Sequence, residues 1–76
     1  MSSPDKLVYM ANQIGKFLAA QNKGDETIAV EGIATHLRKF WDPRMRNEIV
    51  AKVAAGEAAG LDPLPRRAVE RLGGQG

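Results

Sequence analysis

Leu7, Met10, Ala11, Ile14, Phe17 and Leu18 recur at spacings of three and four, which draws one apolar stripe along an α-helix. Ser3-Pro4-Asp5 opens that helix: Ser3 suits a cap, Pro4 the first helical position, and Asp5 faces the positive end of the helix dipole. The helix is predicted to fade between Gln21 and Gly24, with Tyr9, Asn12, Gln13 and Lys16 on or near its opposite face. After Asn22-Lys23-Gly24-Asp25, a second stripe runs through Val30, Ile33, Ala34, Leu37, Phe40 and Trp41. Asp42 precedes Pro43 and is biased away from helical angles, so the second helix is predicted to stop at Trp41. Asp42 then caps a third helix and Pro43 takes its first position.

The third helix carries Met45, Ile49, Val53 and Gly56 on one side, followed by an Ala-rich tail that Gly60 is expected to stop. Leu61-Asp62-Pro63 repeats the Asp-Pro device. It starts a short fourth helix with Leu64, Ala68 and Leu72, ended by Gly73-Gly74. Beyond the cap chemistry, the residues flanking the two Asp-Pro pairs do not read as an internal repeat. Gly15 and Gly32 interrupt the first two helices, each at a cost of about 1 kcal/mol relative to Ala. Gly15 adjoins its stripe and permits close helix packing, whereas Gly32 lies outside its stripe and reads as tolerated or as a partner contact. No strand pattern competes. The predicted class is all-α: a small bundle of three main helices plus a short C-terminal fourth, in one domain spanning residues 1–76, with residues 1–3 and 73–76 as flexible ends.

A chain of 76 residues buries only about 60% of the surface its unfolded form exposes. A core that thin rarely supplies more than about 3–5 kcal/mol net, and natural chains of this size often add disulfides, a metal or a partner. The sequence has no Cys and one His, which excludes a disulfide framework, thiolate-bound zinc or iron-sulfur sites, and a multi-His metal site. A partner chain, or a second copy, remains. Lys and Arg exceed Asp and Glu by 11 to 9, for a net charge of +2, too small an excess to mark a nucleic-acid binder. No basic segment followed by an apolar run opens the chain, and no apolar stretch approaches about 20 residues. Neither a signal peptide nor a membrane span is expected, and a cytoplasmic location is the default. No dinucleotide-binding, Walker-type, HExxH, GxSxG or EF-hand pattern occurs, so no motif points to an enzyme.

Charge and aromatic residues concentrate in one run, His36-Leu37-Arg38-Lys39-Phe40-Trp41-Asp42-Pro43-Arg44-Met45-Arg46. Arg38 and Lys39 sit in the last turn of the second helix, where cations complement the dipole. Arg44 and Arg46 sit near the start of the third, where a cation is disfavoured by about 0.3–1 kcal/mol. Local partners are available at i,i+4, Asp42 for Arg46 and Glu48 for Arg44. Trp41 and Arg46 also occupy the positions of a hydrophobic staple, so the guanidinium can lie on the indole. Arg46 therefore reads either as a local structural residue or as a partner contact. Lys39 and Arg44 point away from both stripes and are the better candidates to meet an anionic partner surface. Phe40 and Trp41 read first as core, with part of each ring available to a docking face. His36 flanks the stripe as a surface or hydrogen-bonded polar residue, since no carboxylate or nucleophile is placed to work with it.

Three segments in order, Lys6-Leu7-Val8-Tyr9-Met10-Ala11-Asn12-Gln13-Ile14, the run from His36 to Arg46, and Leu61-Asp62-Pro63-Leu64 with Ala68-Val69, resemble the delta subunit of the NAD-dependent, molybdenum- or tungsten-containing formate dehydrogenases of bacteria. The resemblance covers most of residues 5 to 70, and the middle segment is its most specific part. It implies a non-catalytic accessory subunit of a cytoplasmic complex, supporting assembly or stability of the catalytic subunit. In that family bis-molybdopterin guanine dinucleotide, iron-sulfur clusters, FMN and the NAD site belong to other subunits, so no cofactor is expected in this chain. The implied partner is the catalytic alpha subunit, with a homodimer as an option for the isolated chain. The expected contact is the corner between the second and third helices, through Lys39, Trp41, Arg44 and Arg46, with Tyr9 and Asn12 as a second contact. Pro65 departs from the pattern by placing a proline inside the first turn of the fourth helix.

The rival reading is a helix-turn-helix-like nucleic-acid module, with Arg44, Asn47 and Lys52 on the second helix of the pair. Its link is shorter than the usual three or four residues, and Glu48 and Glu57 interrupt the would-be recognition face.

Overall fold

The computed structural model describes residues 5–74. The expected Ser3 cap, Pro4 start and flexible residues 1–3, 75 and 76 lie outside them. Four helices account for the described chain, α1 (Lys6–Gln21), α2 (Glu26–Phe40), α3 (Pro43–Ala54) and α4 (Pro63–Gly74), with no strand among the described residues. The all-α expectation holds. Asp5 caps α1, its carboxylate accepting from the backbone N–H groups of Leu7 and Val8 at 2.9 and 3.3 Å. Asn22 closes α1 by donating its side-chain amide to the Leu18 carbonyl, and Gly24 turns the chain at φ +87°. Asp25 then caps α2 through the Ile28 N–H. Leu18 lies beside Gly32, and Ile14 and His36 line one depression, so α1 and α2 run antiparallel.

The Asp42-Pro43 corner forms as predicted. Trp41 terminates α2 in an extended conformation, and the Asp42 carboxylate accepts from the Arg44 N–H at 2.8 Å. The third helix, however, ends at Ala54 rather than near Gly60. Gly56 adopts φ +72°, Glu57 N–H donates to Lys52 O, and Gly56 N–H donates to Val53 O. This is a Schellman closure, which only a residue free to take positive φ permits cheaply. Stopping there lets the following link turn Ala58 and Leu61 into the core, where they are 2% and 5% exposed. Gly73 and Gly74, expected to end the fourth helix, lie within its last turn.

The core is built around the fully buried Ile33, Leu37, Ile49, Pro65 and Val69. All four helices contribute, and α4 packs against each of the other three, most extensively against α2. On α1 the buried line is Val8, Ala11 and Gly15. Met10 and Phe17, both expected in the core stripe, are exposed instead, as is Phe40 at 72%. For Met10 and Phe17 the physical cause lies in how α1 packs. Small residues at positions 11 and 15 let α1 approach α4 closely, and this rotates the outer edge of its broad apolar arc toward solvent. The contact is tightest at Gly15, where an added Cβ would lie 2.8 Å from Pro65 Cγ. The Pro65 ring fills that space, and a proline so near the start of α4 is tolerated because its missing N–H would have had no intrahelical acceptor.

The start of α1 is tied to α3 by an ion pair, Lys52 Nζ to Asp5 Oδ2 at 3.0 Å. Its hydrogen bond to Lys52 holds the Asp5 carboxyl below the ordinary value of 3.8, assisted by the Val8 and Leu7 N–H groups, while Asp5 raises Lys52 above 10.5. Asp5 binds its proton less readily folded than unfolded, so its stabilisation is present above pH 3.8 and is lost as pH falls through the lowered folded value. Lys52 works with the opposite sign: its contribution is present below pH 10.5 and is lost as pH rises through the raised value. Asp5→Ala is expected to destabilise by about 0.5–2 kcal/mol through the lost cap and to flatten the acid limb of the stability profile. Urea titrations between pH 2 and 7 would check this; an unchanged acid limb would assign the acid sensitivity elsewhere.

Candidate functional site

The sequence singled out six residues for contact with a partner, and the structure divides them. Trp41 is 6% exposed; its indole lies in the core and offers little to a docking surface. Arg46 pairs with neither Asp42 nor the indole. Its Nη1 donates to the carbonyls of Arg38 at 3.1 Å and Trp41 at 3.3 Å, so a guanidinium closes the open C-terminal end of α2 from the start of α3. This explains a cation near a helix N-terminus: it answers the negative end of the preceding helix. Arg44 forms no ion pair with Glu48; the ion pairs among the described residues join Lys52 to Asp5, Arg67 to Glu26 and Arg71 to Glu31.

Asn12 is also engaged internally. Its side-chain amide donates to Gly60 O at 2.9 Å and its carbonyl accepts from Asp62 N–H at 2.8 Å, which fastens α1 to the α3–α4 link at both polar groups. Three of the six remain exposed: Tyr9 at 62%, Lys39 and Arg44.

The Arg46 device occurs twice. Arg66 Nη2 donates to Ala58 O at 3.1 Å and Leu61 O at 3.3 Å, and in both cases the acceptors lie eight and five residues back from the arginine. Trp41-Asp42-Pro43-Arg44-Met45-Arg46 and Leu61-Asp62-Pro63-Leu64-Pro65-Arg66 are thus two copies of one corner, each with a buried apolar residue before Asp-Pro and an arginine four positions after the aspartate. The expectation that the resemblance between the two sites ends at the cap chemistry is corrected. The signal was present in the sequence as D-P-x-x-R repeated at a spacing of twenty residues.

Exposed apolar side chains lie on α1 and α2, three of them, Met10, Phe17 and Phe40, at positions the sequence had placed in its apolar stripes. Met10 and Phe17 of α1 and Ile28 and Phe40 of α2 are exposed by 39%, 63%, 53% and 72%. Between the helices lies a depression of about 280 Å³ lined by Gln13, Ile14, Phe17, Leu18 and His36. The His36 and Phe40 rings lie 4.8 Å apart at a tilt of 41°. Among the described residues no group of three or more His, Asp or Glu side chains is placed to hold a metal ion, and no helix is long and apolar enough to cross a membrane. Of the three residues in the helix-turn-helix reading, Lys52 is engaged by Asp5, while Arg44 and Asn47 are exposed.

The described residues thus form a covered core, two arginine-locked corners and an uncovered apolar side. No curated protein and no solved structure matches the chain. Residues 6–69, which span all three resembling segments and both corners, match the family described as the NADH-dependent formate dehydrogenase delta subunit FdsD, and the chain belongs to that family.

Proposed function

We propose that this chain is a non-catalytic accessory subunit that docks on the catalytic alpha subunit of a cytoplasmic formate dehydrogenase and supports its assembly or stability. The family match over residues 6–69 carries the reading. The composition supports it: with no Cys and a single His, the chain lacks the thiolates that iron-sulfur clusters require, in keeping with a resemblance that puts the redox groups in other subunits. A partner that binds only the folded form stabilises both chains by mass action, which suits a domain with so thin a core. Lys39 and Arg44, exposed at the α2–α3 corner, supply cations for the contact.

The test is co-expression of the other subunits of the complex with and without this chain. Omitting it is expected to lower the yield of assembled, formate-oxidising complex several-fold, as a loss of about 1–2 kcal/mol of stabilisation does to abundance. Unchanged yield and unchanged activity per catalytic subunit would sink the proposal.

A further inference from the structure

The α1/α2 side of the molecule carries its own statement about what covers it. Lys6, Met10, Gln13 and Phe17 follow one another at helical spacing on α1, and Ile28, Gly32, His36 and Phe40 do so on α2. With the helices antiparallel, these two lines lie side by side over the depression between them. The face is apolar at its centre and cationic at one end, where the N-terminus of α1 brings Lys6 and the C-terminus of α2 brings Lys39. Neither lysine takes part in an ion pair among the described residues.

The carboxylates are elsewhere. Helix α1 contains none from Lys6 to Gln21. The two in α2, Glu26 and Glu31, both reach across to arginines of α4, Arg67 at 3.2 Å and Arg71 at 3.7 Å. Asp25, at the far end, caps α2. A surface that is apolar in the middle and positive at one end is complementary to one that is apolar in the middle and negative at the matching end. A second copy of this chain would present the same carboxylate-poor face and leave Lys6 and Lys39 without partners.

We propose that this face, with Met10, Phe17, Ile28 and Phe40 as its apolar anchors and Lys6 and Lys39 as its charged end, is where the subunit seats on its partner, and that the partner surface is an apolar strip bordered by carboxylates. The inference rests on the accessory-subunit reading and names the surface that performs it. Aromatic side chains are enriched at the centres of interfaces. Phe40 is already held against His36 at 4.8 Å, so binding loses little rotamer freedom there. Lys39 and Phe40 close the face at the α2–α3 corner, which makes Arg44 of α3 its continuation, while Tyr9, 62% exposed and one turn from both Lys6 and Gln13, lies on its rim.

The experiment uses the whole chain co-expressed with a tagged catalytic subunit and the other subunits, reading how much of it co-purifies at rising salt. Phe17→Glu/Phe40→Glu is expected to weaken association by about 100-fold or more, since interface anchors each carry about tenfold or better. Lys39→Glu is expected to weaken it by about tenfold and to reduce its salt dependence, as removal of a complementary charge does. Glu70→Lys, at an exposed position of α4 away from this face, is expected to leave it intact. Both phenylalanines are exposed, and circular dichroism of each isolated variant establishes that the helices persist. A benzophenone amino acid at position 40 should cross-link to a carboxylate-rich segment of another subunit. Retained binding by Phe17→Glu/Phe40→Glu, with the unaltered chain also binding, would overturn the face and leave the accessory reading standing. Cross-linking to a second copy of the chain would overturn the choice of partner. Failure of the unaltered chain to associate with any subunit would overturn both readings together.

Discussion

Trp41→Ala is expected to abolish most of the folding stability of this chain, while Phe40→Ala, one residue earlier, leaves it nearly unchanged. Truncating a buried tryptophan removes about 3–5 kcal/mol through lost transfer energy and the cavity left behind. A domain of this length has only about 4–11 kcal/mol in total, at roughly 0.05–0.15 kcal/mol per residue. Trp41 is 6% exposed and packs in the main core, and its carbonyl is one of the two that Arg46 engages. Phe40 is 72% exposed and touches chiefly the His36 ring, so its loss should stay within about 0.5 kcal/mol, as at other surface positions. Urea denaturation midpoints for the two variants decide the matter. Comparable losses would mean that Phe40 is covered in the free protein and that the exposed face is smaller than described. The pair also separates folding from docking, since Phe40→Ala should fold normally and bind its partner poorly.

The second large effect is expected at Gly15, with Gly32 as its opposite. Alanine in place of either glycine gains about 1 kcal/mol of helix propensity. At Gly15 that gain is outweighed, because the new methyl would sit 2.8 Å from Pro65 Cγ and 2.9 Å from Cδ. A proline ring in a buried first turn cannot swing aside, and overpacking of this kind costs about 1–3 kcal/mol. At Gly32 the nearest atom is Leu18 Cδ1 at 3.4 Å, an ordinary contact, and the full gain should appear as higher stability. Gly15→Ala should therefore lower the melting temperature and Gly32→Ala raise it. Adding Pro65→Ala to Gly15→Ala should recover part of the loss, a non-additivity expected of residues in direct contact. Equal stabilisation by both alanines would mean that α1 and α4 are further apart than this structure places them.

Much of the fold was legible because its boundaries are written in local chemistry. Asp42 with Pro43, and Pro63, start helices where they were expected, since a cap needs only residues within a turn of itself. The end of α3 was misjudged for a related reason: two glycines, Gly56 and Gly60, both adopt positive φ. Choosing between them depends on whether Ala58 and Leu61 have a core to enter. Among the candidate contacts, Lys39 and Arg44 kept their exposure. Trp41 is taken up by the core and Arg46 by carbonyls eight and five residues back, but Asn12 is held by Gly60 and Asp62, the latter fifty residues along the chain. No helical spacing encodes a bond of that range.

Alone, the sequence determined an all-helical chain with an apolar arc on each helix, caps at Asp-Pro and no thiol chemistry, because propensity, capping and side-chain inventory act over a few residues. Only the tertiary structure decided which edge of each arc is core. Gly15 and Pro65 bring α1 against α4 and turn Val8 and Ala11 inward, and the same rotation leaves Met10 and Phe17 beside Ile28 and Phe40 in solvent. An apolar arc wider than its buried contact has two possible edges, and the choice between them belongs to the neighbouring helix.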